Sequence, residues 1–154
     1  MTRIFVLNGA NLNMLGIREP EVYGTATLDE IEKFTVAHAA ELGVEIEFRQ
    51  SNLEGDIINW IHEAYWKADG VVLNPGGFTR QSMAIHDAIK AISKPVVELH
   101  LSNTHKREHY KPGSYITYAA DATILGFGKF GYVLALQGVL DLVTRRRESS
   151  AGPV

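Results

Sequence analysis

Five short apolar runs alternate with stretches of helical periodicity, and this alternation narrows the possible folds more than any other feature of the chain. Ile4–Leu7 reads as a first, buried strand. Thr27–Leu42 reads as a helix, opened by the capping-box spacing Thr27-Leu-Asp-Glu30 and stopped by Gly43. Val44–Phe48 alternates at period two and predicts a half-buried edge strand. Glu54–Ala68 predicts a helix with Ile57, Ile58, Ile61 and Tyr65 on one face. Gly70–Leu73 is a third strand, Gln81–Ile92 a helix, and Pro95–Glu98 a fourth strand whose proline sits where no ladder donor is lost. Ala122–Leu125 is a fifth strand, and Phe130–Arg146 the last helix. Strands alternating with helices predict an α/β fold, a doubly wound parallel sheet covered on both faces. The 154 residues support one domain, expected over 1–147, with 148–154 as a flexible tail.

In such sheets ligands bind beyond the carboxyl ends of the strands, at the point where strand order reverses. A 2-1-3-4-5 order puts that point between strands one and three. Polar residues gather at the matching ends. Asn11, Arg18 and Tyr23 follow strand one, Asn74-Pro-Gly-Gly77 follows strand three, and His100, Ser102 and Asn103 follow strand four. The first connection, from Asn8 to the Thr27 cap, far exceeds the roughly 2–6 residues usual for a strand-to-helix turn. Its length and its bracketing Gly16 and Gly24 suit a loop that closes over a ligand. An arginine near a tyrosine favours the phenolate, which is a route to a strong base.

Composition excludes several function classes. There are no cysteines, so disulfides and thiolate chemistry are absent, in keeping with a reducing compartment. A net charge of −3 gives no reason to expect nucleic acid or an anionic membrane as partner. No apolar stretch approaches the ~18 residues of a membrane span, and the first residues lack a signal-peptide pattern. A cytoplasmic protein acting on a small molecule is the expectation.

Glu98-Leu-His100-Leu-Ser102 alternates polar and apolar, so its three polar side chains share one side of the strand. A carboxylate beside a histidine orients the ring, making His100 either a general acid or base or an ordinary satisfied histidine. The turn after Asn74 either offers amides to an anion or is simply tight, and Ser102-Asn103 carries the same two readings. Gly126-Phe-Gly-Lys-Phe-Gly131 matches a dinucleotide fingerprint, but it opens the last helix and lacks a following acidic strand. Close helix–sheet packing accounts for those glycines. The six histidines show no zinc-ligand spacing, so no metal is expected, and His38, His62 and His86 read as surface or structural residues. Arg145–Arg147 suits the negative end of the last helix.

From Ile4 to about Leu140 the chain resembles the type II 3-dehydroquinate dehydratases. The matching text is Val6-Leu-Asn-Gly-Ala-Asn-Leu-Asn, Gly16-Ile-Arg-Glu-Pro with Tyr23-Gly24, Gln50-Ser-Asn-Leu-Glu-Gly55, Asn74-Pro-Gly76, Glu98-Leu-His-Leu-Ser-Asn103, Arg107-Glu108, Ser114-Tyr115 and Gly128-Lys-Phe-Gly-Tyr132. The resemblance implies a flavodoxin-like three-layer sandwich, a homododecamer built as a tetramer of trimers, and no cofactor. It implies anti elimination of water from a cyclic keto acid, in aromatic-ring synthesis or quinate breakdown. By resemblance Tyr23 is the base, Arg18 lowers its pKa, and Asn11 helps hold a water on the enolate. His100 protonates the departing hydroxyl and Glu98 orients it. Asn74 and the amides near Leu101 and Ser102 bind the carboxylate, and Asp87 reaches a neighbouring subunit's site. The family usually has histidine at Arg80 and arginine at Lys111, positions that by resemblance face the far ring hydroxyls. Arginine cannot accept a hydrogen bond as histidine can, and lysine lacks arginine's fork of donors. A lyase for a related cyclic hydroxy acid and a non-catalytic binding protein are the competing expectations.

Overall fold

A computed structural model describes residues 1–17, 19–107 and 113–152, with the side chains of Tyr23 and Arg107 excepted. Five parallel strands form one sheet: β1 (Arg3–Ala10), β2 (Glu45–Gln50), β3 (Gly70–Gly76), β4 (Val96–His100) and β5 (Ala122–Leu125). Their order is β2-β1-β3-β4-β5, as the sequence predicts. Among the described residues six α-helices connect and cover them: α1 (Pro20–Tyr23), α2 (Leu28–Glu41), α3 (Glu54–Lys67), α4 (Met83–Ile92), α5 (Thr104–Arg107) and α6 (Phe130–Ser150).

The central strands are apolar on both faces because both faces are covered. Ile4, Val6, Val72, Val97 and Leu99 pack with Ile31 of α2 and Tyr132, Leu136 and Val139 of α6. Phe5, Leu7, Val71, Leu73 and Val96 pack with Ile57 and Ile61 of α3 and Ile85 and Ile89 of α4. Period-two alternation thus divides one run of residues between two cores. β2, at the edge, is only partly buried. The predicted capping box opens α2: Thr27 Oγ1 accepts from the Glu30 N–H, and Glu30 accepts from the Thr27 N–H.

Several boundaries differ from the sequence reading for identifiable reasons. β1 and β3 each run three residues past their apolar stretches, with Asn8 paired to Asn74 and Ala10 to Gly76. A Cβ on Gly9 would stand 2.1 Å from the Pro75 carbonyl oxygen, so only glycine allows the strands to stay this close. α4 begins at Met83 rather than Gln81, because Ser82 caps it through the Ile85 N–H at 2.9 Å. Ala64, not Tyr65, completes the buried face of α3, while Tyr65 is exposed with its ring edge-on to Trp66. α6 continues to Ser150 instead of stopping at Arg146. Arg146 donates to the Ser93 carbonyl and to Asp121, and Arg147 to Asp69, so these arginines anchor the helix to neighbouring elements. In the glycine-rich segment, only Gly131 matches the close-packing explanation, since a Cβ there would stand 2.8 Å from Leu99 Cδ1. Gly126 and Gly128 instead adopt φ of +91° and +58° in the turn before α6.

Candidate active site

The carboxyl ends of β1, β3 and β4 carry the candidate residues, and the extended pairing of β1 with β3 sets their spacing. Asn11 follows β1 directly, with φ 73°, a left-handed conformation that asparagine tolerates better than most residues. Its N–H donates to Asn52 Oδ1 at 2.9 Å. Gln50 donates to the same oxygen and to the Gly9 carbonyl, so the last residue of β2 and Asn52 just beyond it buttress the Asn11 turn. A Cβ on Gly77 would lie 3.1 Å from the Asn11 side-chain nitrogen, which places that amide beside the turn after β3. Beyond Asn11 the long connection is not featureless. It forms a 3-10 turn at Leu12–Met14, held down by buried Leu12 and Leu15, and then the short helix α1.

Near its end β3 carries Asn74, whose side chain is buried. The amides of the following turn are not offered to a ligand. The Gly76 N–H meets Asn74 Oδ1, Gly77 meets the Ala10 carbonyl, Phe78 meets Pro75 and Thr79 meets Gly76. This removes the backbone-cradle reading of Asn74–Gly77 and leaves the Asn74 side chain itself. Arg80 lies half-buried at the end of this turn. The Tyr115 N–H donates to the Thr79 carbonyl at 3.1 Å, tying the Arg80 turn to the segment after α5.

β4 delivers Glu98 and His100, two residues apart on one side of the strand. Glu98 is fully buried and His100 is 6% exposed. His100 Nε2 lies 2.6 Å from Glu98 Oε2. The same carboxylate accepts from the hydroxyls of Ser114, Thr117 and Thr123. Burial pushes the Glu98 carboxyl up, but hydrogen bonds from His100, Ser114 and Thr117 outweigh it and hold the group below its ordinary value. An ionised carboxylate accepts only, so the ring must donate from Nε2, which leaves Nδ1 as its reactive nitrogen. Just beyond, the Leu101 and Ser102 N–H groups find no protein acceptor among the described residues. Two such amides beside a histidine suit a bound carboxylate.

The depressed Glu98 value has a measurable consequence. A carboxyl whose folded pKa lies below its unfolded one stabilises the fold above the unfolded value, about 4.3 for glutamate. That stabilisation is lost as pH falls through the lower folded value. Wild-type protein should therefore exceed Glu98→Gln in Tm most clearly near neutral pH, with the gap closing under acid. A Tm difference that stays constant from neutral pH into strong acid would show that Glu98 is not held ionised.

Asn11, Asn74, Arg80, Glu98, His100, Leu101 and Ser102 thus lie at one end of the sheet. Asp87 does not join them by any hydrogen bond or ion pair among the described residues. It stands on the exposed side of α4, paired with the His86 ring at 2.9 Å. Arg18, Lys111 and the Tyr23 side chain lie outside the described residues. Among the described residues no group of three or more His, Cys, Asp or Glu is placed to hold a metal ion, and no helix is long and apolar enough to cross a membrane. Sequence reasoning assigned no role to Asn8, Asn52, Thr117, Thr123 or Tyr132. Apart from the Gln50–Asn52 contact, their partners are distant in the chain, so local pattern carries no signal for them.

Comparison with known proteins places this site in context. The family model described as Dehydroquinase class II matches residues 2–140. The chain is 52% identical over 139 residues to 3-dehydroquinate dehydratase 1 of Agrobacterium fabrum, covering 90% of this chain and 96% of that protein. It is 54% identical over 139 residues to the 3-dehydroquinate dehydratase of Rhizobium johnstonii, with the same two coverages. The crystal structure of a type II dehydroquinase from Butyrivibrio crossotus matches with a TM-score of 0.87 at 38% identity, covering 90% of this chain and 97% of that one.

Proposed function

Because this chain belongs to the class II dehydroquinase family, we propose that it eliminates water from 3-dehydroquinate to give 3-dehydroshikimate. The observation that carries this reading is the buried Glu98–His100 pair beside the Leu101 and Ser102 amides, which find no protein acceptor among the described residues. It supplies a supported proton donor next to an anion site, at the end of the sheet where ligands of such folds bind.

The elimination proceeds in two steps. Tyr23, ionised with help from Arg18, takes a proton from the carbon beside the ketone. The electron pair moves onto the carbonyl oxygen as an enolate, and a water held by Asn11 hydrogen-bonds to it. The ketone then re-forms, a carbon–carbon double bond appears in conjugation with it, and the adjacent hydroxyl departs. His100 gives that hydroxyl its proton from Nδ1, so water leaves. Tyr23 then loses a proton to solvent and His100 regains one. Glu98 keeps the imidazole oriented for the transfer. The Asn74 amide and the Leu101 and Ser102 N–H groups hold the carboxylate, while Arg80 and, by family resemblance, Lys111 recognise the ring hydroxyls remote from the reacting carbons. No cofactor is required.

Asp87, exposed on α4, is free to reach the site of a second copy, in keeping with a homododecamer assembled as a tetramer of trimers. A cytoplasmic location, with no nucleic-acid or membrane partner, fits the charge and the absence of cysteine.

Mixing the purified protein with 3-dehydroquinate should produce the absorbance of a conjugated enone, at a kcat near the enzyme median of about 10 s⁻¹. Unchanged substrate after prolonged incubation at high protein concentration would rule the activity out.

A further inference from the structure

The buried phenol of Tyr132 has no part in the steps above, yet it sits in a directed chain of hydrogen bonds that ends on Asn74. At one end Asn8 Nδ2 donates to the Arg49 backbone carbonyl at 3.0 Å. That carbonyl can only accept, so Asn8 must turn its nitrogen toward it. Asn8 Oδ1 then faces Tyr132 and accepts from its hydroxyl at 2.7 Å. The phenol has one hydrogen, now used, so toward Asn74 it can only accept. Asn74 Nδ2 donates to it at 3.1 Å. At the far end Asn74 Oδ1 accepts from the Gly76 N–H at 3.3 Å. A backbone acceptor at one end and a backbone donor at the other permit a single direction for every bond between them.

Tyr132 and Asn8 are fully buried and Asn74 nearly so. Burial also raises the Tyr132 phenol above its ordinary pKa, so it stays protonated and able to donate. Turning the Asn74 amide over would set its oxygen against the phenol oxygen and its NH2 against the Gly76 N–H. Both contacts pair like with like inside the protein, where unsatisfied polar groups are costly.

We infer that Tyr132, fixed by Asn8, is a positioning residue that locks the Asn74 side chain with its second N–H directed at the substrate's carboxylate. The inference rests on the reading of Asn74 as a carboxylate ligand and adds what makes it a donor. An asparagine free to flip would present its oxygen to that anion part of the time. A locked one binds substrate and transition state alike, because the carboxylate, although carried by the carbon that loses the hydroxyl, is fully charged in both. Losing the lock should therefore raise KM and spare kcat.

The test is a cycle of Tyr132→Phe and Asn74→Ala with 3-dehydroquinate. Tyr132→Phe should raise KM about three- to tenfold, the net worth of roughly one hydrogen bond, with kcat within about twofold of wild type. In the Asn74→Ala background the same change should leave KM where Asn74→Ala alone puts it. An unchanged KM in Tyr132→Phe while Asn74→Ala raises it would overturn the lock alone. So would a lowered kcat at constant KM, the mark of a merely structural role, or an equal KM penalty in both backgrounds. An unchanged KM in Asn74→Ala would remove Asn74 from the substrate site and the lock with it. Should Tyr132→Phe fail to fold, Asn8→Ala breaks the chain one bond earlier and carries the same expected KM rise and the same contrary outcomes.

Discussion

Tyr23→Phe is expected to abolish turnover of 3-dehydroquinate while leaving the fold intact. A phenyl ring occupies the same space but cannot take a proton. The loss should amount to at least the ~10²–10⁴-fold worth of a positioned acid–base group. The fold should survive because the change removes a single oxygen atom, from a residue that ends the four-residue α1 in the connection after β1. Steady-state kinetics beside a thermal melt check both halves. An active Tyr23→Phe protein would remove this residue from the mechanism.

His100→Ala should lower kcat by about 10²–10⁴-fold, since the hydroxyl must then leave without a proton from the protein. The cost to folding is a separate matter, because the change also strips one donor from buried Glu98. The hydroxyls of Ser114, Thr117 and Thr123 remain on that carboxylate, so the fold should persist with a reduced Tm. A variant that melts lower but turns over at the wild-type rate would make His100 purely structural.

The sheet was legible because its inner strands announce themselves. Ile4-Phe-Val-Leu7 and Val71-Val-Leu73 are unbroken apolar runs, as strands covered on both faces must be. Their continuation through Asn8–Ala10 and Asn74–Gly76 was not legible. There the pairing persists through backbone contact at Gly9, with no apolar side chain to mark it. The burial of Ala64 in place of Tyr65 shows a similar limit. Period locates a helical face to within about one position, and packing against α4 decides which neighbour is buried.

In the site, Glu98 and His100 could be paired from spacing alone, because two residues on a strand share a side. The three hydroxyls on Glu98 come from 16, 19 and 25 positions away, and Tyr132 lies 124 positions from Asn8. No local rule links such residues, and only the folded chain brings them together. The Asn74 turn stayed open between two readings in the sequence for a related reason. Its glycines resemble an anion cradle in sequence, but the fold spends their N–H groups on its own carbonyls and on Asn74. The roles of Arg18, Tyr23 and Lys111 come from family resemblance.

The proposed reaction divides the proton transfers between two groups. One group removes a carbon-bound proton, and the buried Glu98–His100 pair delivers another to the leaving hydroxyl. Following dehydration and hydrogen exchange side by side tests it most directly. 3-Dehydroquinate is incubated in D2O with wild-type protein and with His100→Ala, with enone absorbance reporting dehydration and NMR reporting deuterium at the carbon beside the ketone. The wild type should produce enone. With His100→Ala the recovered substrate should have gained deuterium but kept its hydroxyl. No enone from the wild type, or enone from His100→Ala at the wild-type rate, would contradict this division.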